Sequence, residues 1–124
     1  MKIISEDKLE LHLKLGRKLA QFVKTDVYFE DRTFDWLKLE KENNLYRATL
    51  IRSIDEGDES FIEVAEFETA NDIDEDENRF QEGNREEVFL WMKSKFQIDL
   101  NKFHELSELN KKYLELVQTN KLGN

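Results

Sequence analysis

The sequence predicts one α+β domain spanning residues 1–124, with an N-terminal helix, an antiparallel meander of three to four strands, and two C-terminal helices packed on one face of the sheet. Three observations predict this class. The length of 124 residues is typical of a single domain. Apolar residues form 39% of the chain and include nine Phe, three Tyr and two Trp, which is enough for a packed core despite 38% charged residues. The apolar residues recur at helical spacing near both ends of the chain and alternate in its middle.

The N-terminal segment is predicted to be a helix from about residue 5 to residue 24. Ser5 is a suitable N-cap, and the two acidic residues that follow favour the positive end of a helix. One broad apolar face contains Leu9, Leu11, Leu13, Leu15, Leu19, Ala20, Phe22 and Val23. A strand is the alternative, because the four leucines of 9–15 also alternate. The alternation fails beyond Leu15, which favours the helix.

The middle of the chain is predicted to form a sheet. The three strands of the meander are residues 33–41, 45–54 and 60–68, and residues 27–29 are a further short strand or a connection. Asn43 and Asn44 are suited to a tight turn, because Asn tolerates positive φ. Short turns between strands make the sheet antiparallel. Glu63 falls on the third strand and is expected to pair with an arginine of its neighbour, Arg47 or Arg52.

Acidic residues are concentrated in one part of the chain. Positions 55–87 contain fifteen acidic and two basic residues, a net charge of −13, whereas the remainder of the chain sums to +4. Residues 69–83 are predicted to be a flexible acidic loop, because like charges repel one another. The carboxylates predicted to bind a partner are Asp55, Glu56, Asp58, Glu59, Asp72, Asp74, Glu75, Asp76 and Glu77.

Two helices are predicted after the acidic loop. The first covers residues 84–96, where Asn84 and Glu87 form a capping-box pair. The second covers residues 101–119, in which apolar residues recur at helical spacing. Residues 120–124 are expected to be a frayed tail.

No catalytic residue, metal site or cofactor is predicted. A calcium loop starting at Asp72 would place Glu77 where glycine is required and Gly83 where a bidentate glutamate is required. The absence of cysteine excludes Cys-ligated zinc and thiol catalysis. All four glycines are isolated, so there is no phosphate-binding loop. His12 is expected to be a partly buried structural residue, and His104 is expected to lie on a helix surface.

The net charge and the lack of long apolar runs also predict the kind of partner and the cellular location. A net charge of −9 opposes binding to a phosphate backbone, so no nucleic-acid partner is predicted. The N-terminus lacks the apolar run of a signal peptide, and no apolar run reaches the length of a membrane span; hence no membrane association and a cytoplasmic location are expected.

The leading functional hypothesis is a small acidic module that binds a basic protein partner. Small, acidic, cysteine-free bacterial domains without an evident active site include many toxin-immunity proteins and inhibitors, which cover a basic site such as that of a nuclease toxin. Two alternatives are a small-ligand or catalytic domain with a pocket between sheet and helices, converging on His12, Glu63 or an arginine, and a homodimer formed through a sheet edge or an aromatic surface.

Overall fold

The computed structural model describes residues 2–28, 31–57, 60, 62–69 and 80–123. Its helices and strands are α1 (Glu6–Lys14), β1 (Leu19–Tyr28), β2 (Asp31–Glu42), β3 (Leu45–Ile54), β4 (Phe80–Gly83), α2 (Arg85–Phe96), β5 (His104–Glu105) and α3 (Leu109–Gly123). The strands in these residues form one antiparallel sheet in the order β4-β3-β2-β1-β5. The predicted α+β class is confirmed, with five strands rather than three or four.

The first helix is shorter than the sequence predicts, and Gly16 is the reason. Gly16 has a φ of 79°, in the left-handed region that favours glycine. Its N–H donates to the carbonyl of Leu13 at 3.0 Å, and the N–H of Arg17 donates to the carbonyl of His12 at 3.1 Å. These two bonds form a Schellman motif, which closes the helix. The predicted helix as far as Lys24 is therefore wrong, and its second half belongs to β1.

The β2–β3 hairpin agrees with the prediction. Asn43 has a φ of 57° in a two-residue turn, and Glu42 pairs with Leu45 on the other side of it. The strands predicted at 33–41 and 45–54 are therefore confirmed, with β2 one to two residues longer at each end. The short strand suggested near residue 27 is the end of β1.

The third predicted strand, residues 60–68, is wrong. Val64–Glu66 forms a 3₁₀ turn, and Val64 and Phe67 are buried in the core. Thr69 then forms a single antiparallel bridge with Ser53 of β3. The edge of the sheet is taken by β4, whose four residues were expected to belong to the acidic loop.

The two C-terminal helices differ in how well the sequence predicts them. The helix at 84–96 is confirmed: Asn84 Oδ1 accepts from the N–H of Glu87 at 2.9 Å, and Glu87 Oε1 accepts from the N–H of Asn84 at 3.3 Å. The helix at 101–119 is wrong in its first half, where β5 and a 3₁₀ turn at Leu106–Glu108 precede α3.

An apolar cluster lies on each face of the sheet, because successive side chains of a strand point to opposite faces. The cluster beside α1 and α2 includes Leu9, Leu13, Leu19, Leu37, Leu39, Ala48, Val88, Met92 and Phe103. The cluster beside α3 includes Ala20, Phe34, Trp36, Val64, Phe67, Leu109 and Tyr113. The helices α2 and α3 therefore cover opposite faces, whereas the sequence placed both on one face.

Candidate functional sites

Thr69 and Phe80 are the described residues on either side of positions 70–79. Both lie against the outer edge of β3. Thr69 forms a bridge with Ser53, and Phe80 pairs with Thr49. Ser53 and Thr49 are separated by four positions of one strand, which is about 13 Å. The most acidic stretch of the sequence is thus anchored at both ends to the same strand.

Four exposed carboxylates accompany these anchors. We refer to Glu56, Glu63, Glu66 and Glu68 as the acidic edge. The N–H of Glu68 donates to Glu56 Oε1 at 2.7 Å, which brings the end of β3 and the returning segment together. Within the described residues none of these four carboxylates forms an ion pair. Their charge is therefore available at the surface.

Asp55 has a different environment from its neighbours. The hydroxyl of Tyr113 donates to Asp55 Oδ1, and Arg32 Nη1 lies 3.9 Å from Asp55 Oδ2. The half-buried carboxylate of Asp55 is therefore engaged by side chains of the same chain. Glu56 is the only other predicted partner-binding residue that the structure describes. Those that lie outside the described residues are Asp58, Glu59, Asp72, Asp74, Glu75, Asp76 and Glu77.

A pocket of about 330 Å³ lies at the opposite edge of the sheet, where β5 ends. We call it the His104 pocket. Its lining consists of Ile3, Gln21, Phe22, Lys102, His104 and Lys112. The pocket exists because β5 pairs with Leu19 and Ala20 alone, so that this edge of β1 has no strand partner beyond Ala20 in the described structure.

Gln21 replaces the missing strand contacts with side-chain hydrogen bonds. Its Nε2 donates to the carbonyl of Asp99 at 2.9 Å, and the N–H of Asp99 donates to Gln21 Oε1 at 3.3 Å. Both ends of this buried amide are therefore satisfied, as buried polar groups require. The pair holds the connection between α2 and β5 beside β1 and fixes one side of the pocket.

His104 is 2% exposed, and the prediction of a helix-surface histidine is wrong. Its Nδ1 lies 2.8 Å from the carbonyl oxygen of Glu105, so Nδ1 carries the proton and donates. Nε2 is buried and has no hydrogen-bond partner in the part of the chain that the structure describes. Burial lowers the pKa of His104, against the opposing effects of the Glu105 carbonyl and the Glu108 carboxylate.

His12 lies in a smaller pocket of about 210 Å³ beside β5. Arg17 Nη1 donates to His12 Nδ1 at 2.9 Å, and Arg17 Nε lies 3.5 Å from Glu105 Oε1. The side chain of His12 is 15% exposed. It is therefore a partly buried residue with a side-chain partner, as the sequence predicts.

Glu63 does not pair with a strand arginine, so that prediction is wrong. Its Oε2 accepts a hydrogen bond from Asn110 Nδ2 at 3.2 Å, because residue 63 precedes a 3₁₀ turn instead of lying in the sheet. The strand arginines have other carboxylate partners: Arg47 pairs with Glu82, and Arg52 pairs with Asp35.

A charged cleft of about 330 Å³ separates the end of α1 from the β2–β3 hairpin. Beside it, Lys41 Nζ donates to Glu10 Oε1 at 3.0 Å, and the hydroxyl of Tyr46 donates to the same oxygen at 2.6 Å. These hydrogen bonds, that of Tyr46 first, lower the pKa of Glu10. The charges that line the cleft pair with one another, as in Lys18–Glu40 and Arg47–Glu82. Its contacts therefore join α1 to the hairpin and leave little uncompensated charge for a ligand.

In the described residues, no three His, Asp or Glu side chains are grouped so that they could hold a metal ion. No helix of the described chain has both the length and the apolar content that a bilayer crossing requires. Comparison with protein-family models, with curated proteins and with solved structures finds no match for this chain. The acidic edge and the His104 pocket are therefore the two candidate functional sites of the described residues.

Proposed function

We propose that this protein is a binding module that captures a basic protein partner, in the manner of an immunity protein or inhibitor that covers the cationic site of a nuclease toxin. The observation that supports this proposal is the anchoring of both flanks of positions 70–79 to β3, beside the acidic edge. The sequence between these two flanks contains five carboxylates, at 72, 74, 75, 76 and 77.

The negative charge of the chain is unevenly distributed along the sequence. Positions 55–87 have a net charge of −13 in a chain of net charge −9. The screening length is about 8 Å at physiological ionic strength, so charges that lie close together reinforce one another where scattered charges do not. A concentrated field of one sign accelerates association with an oppositely charged partner and disfavours partners of like charge.

The base of the acidic edge is held by the core. Val64 and Phe67 are buried, and the N–H of Val64 donates to Asn110 Oδ1 at 3.0 Å. The N–H of Ile54 donates to the carbonyl of Glu68 at 2.8 Å. Carboxylates on a fixed backbone lose less conformational entropy when a partner binds, which favours affinity.

Phe80 supplies an apolar contact next to the acidic positions. It is 54% exposed, and the guanidinium of Arg47 lies 5.3 Å from the centre of its ring. Aromatic residues, Phe among them, are enriched at protein interfaces relative to the rest of the surface. Phe80 is therefore proposed as the apolar anchor beside the carboxylates.

The proposal is tested by neutralising the acidic positions without changing their shape. One variant carries Asp72→Asn, Asp74→Asn, Glu75→Gln and Asp76→Asn. A matched control removes the same charge from exposed positions elsewhere, with Glu6→Gln, Asp7→Asn, Glu42→Gln and Glu115→Gln. Each protein is immobilised and exposed to extract of the producing cell at about 0.05 M and about 0.5 M salt.

The wild type and the control variant are expected to retain one basic protein in stoichiometric amount at low salt, and less of it at high salt. The variant neutralised at 72–76 is expected to lose it, because the steering charge is gone. Equal retention by both variants, or retention of no basic protein by the wild type, would refute the acidic mechanism.

A further inference from the structure

We propose that the His104 pocket binds a small organic anion with an apolar body, a function separate from capture of a protein partner. The two binding regions lie on different edges of the sheet: the acidic edge adjoins β3, and the pocket adjoins β1 and β5. Its volume of about 330 Å³ falls within the range of ligand pockets.

The charge of the pocket is opposite to that of the protein. Among the described residues that line it, Lys102 and Lys112 carry charge and none is acidic. Glu115 lies 3.9 Å from Lys112 Nζ, at the limit of an ion pair and on the exposed surface of α3. Two lysines facing one cavity in a chain of net charge −9 select for an anionic ligand.

His104 provides the second, independent observation. A nitrogen that is buried without a hydrogen-bond partner is rare in folded proteins and costs free energy. Because Nδ1 donates to the Glu105 carbonyl, the neutral ring has a free lone pair on Nε2. When a carboxylate binds, the ring can take up a proton from water and donate it from Nε2 to the ligand; the charge of the ligand and Glu108 favour the protonated ring, which burial and Lys112 oppose.

The apolar residues of the lining indicate the shape and polarity of the part of the ligand that carries the acid group. Phe22 and Ile3 line the pocket, and Ile3 is 47% exposed. Continuing the register of β5 would place Lys102 opposite Phe22, but the strand pairing stops at Ala20. A cationic side chain and an aromatic ring thus face the same gap, which suits a carboxylate attached to a flat or branched apolar group.

Benzoate is the probe, and acetophenone is its counterpart of similar shape, which has no charge and no N–H or O–H donor. The chain has two histidines, so the ring ¹⁵N resonances of His104 can be followed beside those of His12. Benzoate is expected to shift the His104 Nε2 resonance saturably, whereas acetophenone causes no saturable shift and the His12 ring does not respond to benzoate. The variants Lys102→Ala and Lys112→Ala are each expected to weaken binding roughly fivefold, the size of one partly screened charge contact.

Lys93→Ala is the matched control, because it removes one exposed lysine of α2 that does not line the pocket. This variant is expected to bind benzoate as tightly as the wild type does. The proposal is overturned if benzoate and acetophenone act alike, if His12 responds as strongly as His104, or if both pocket-lysine variants keep wild-type affinity. None of these results depends on the acidic edge, so the two proposals fail separately.

Discussion

Glu10, Lys41 and Tyr46 show how three side chains join α1 to the β2–β3 hairpin. The Glu10 carboxylate accepts from both of the other residues, and Lys41 Nζ lies 4.8 Å from the centre of the Tyr46 ring. The pKa of Tyr46 is raised, first by burial and then by its hydrogen bond to Glu10. The neutral hydroxyl and the ionised carboxylate are therefore the forms that the fold prefers at neutral pH.

Tyr46→Phe is expected to lower the free energy of unfolding by about 1 kcal/mol at pH 7, because it removes a hydrogen bond to a charged acceptor. The folded state depresses the pKa of Glu10 below its ordinary 4.5, so the stability from this group is present above pH 4.5 and is lost as the pH falls through the folded value. The difference between wild type and variant should therefore shrink under acidic conditions. Urea denaturation at neutral and acidic pH measures it.

Glu42→Gln is the control for this prediction, because Glu42 is an exposed acidic residue of the same hairpin. Its effect on stability should stay within about 0.5 kcal/mol at both pH values. A Tyr46→Phe effect that is absent at neutral pH, or that is equally large in acid, would mean that the hydroxyl does not act through the ionised Glu10.

His104 was assigned the wrong environment because no local pattern marks it. Its burial follows from the pairing of Ala20 with His104, a contact between positions far apart in the chain. The sequence around it also has apolar residues at helical spacing, which favoured a surface position on a helix. The pocket and its unpartnered nitrogen were therefore invisible in the sequence.

Among the elements, those with agreeing local signals were predicted correctly. The β2–β3 hairpin combines an Asn turn with alternating apolar residues on both strands, and α2 combines a capping box with an apolar stripe. Consistent local preferences of this kind specify one structure without help from distant contacts. The 3₁₀ turn at Val64–Glu66 was missed because it depends on a distant hydrogen bond from Asn110 and on burial of Phe67 beneath α3.

The boundary between α1 and β1 was missed although the sequence contains its signal. Leu19 and Ala20 both fit one broad helical face, yet in the structure they enter clusters on opposite sides of the sheet. The signal was Gly16, since a glycine just past a helical stretch is the usual residue of a C-terminal cap. Gly16 marks the point where the apolar pattern changes from the helical period of 3.6 residues to the strand period of 2.

Gly16→Ala is expected to reduce the free energy of unfolding by about 1 kcal/mol, because an L side chain is strained at φ 79°. Apart from Gly16 and its two chain neighbours, no described residue has a heavy atom within 4 Å of the added Cβ, so the cost comes from the backbone and not from a clash. Gly16→Asn is the matched control and should cost less, since Asn tolerates this conformation. Thermal unfolding of both variants measures the difference, and equal effects would contradict the account of the cap.

At the scale of the whole molecule, the charges divide between the two edges of the sheet. The residues that flank the acidic positions are attached at β3, while the lysines of the His104 pocket adjoin β1, two strand spacings or about 10 Å across the sheet. The sequence revealed the excess of acid in 55–87 but not its attachment, because the bridge of Thr69 to Ser53 and the pairing of Phe80 with Thr49 are long-range contacts. The sequence also predicts Asp55 to be one of the carboxylates that bind a partner. In the structure, Asp55 instead accepts a hydrogen bond from Tyr113 and lies beside Arg32.

The most direct test of the central claim is the association rate of the captured basic protein, measured against ionic strength for the wild type and for the variant neutralised at 72, 74, 75 and 76. If the acidic positions together attract the basic partner, the association rate of the wild type should fall about tenfold or more between roughly 0.05 M and 0.5 M salt. The variant should associate slowly at low salt and show a much weaker salt dependence, with its dissociation rate less affected. Wild-type and variant rates that coincide at every ionic strength would show that the carboxylates do not steer the partner.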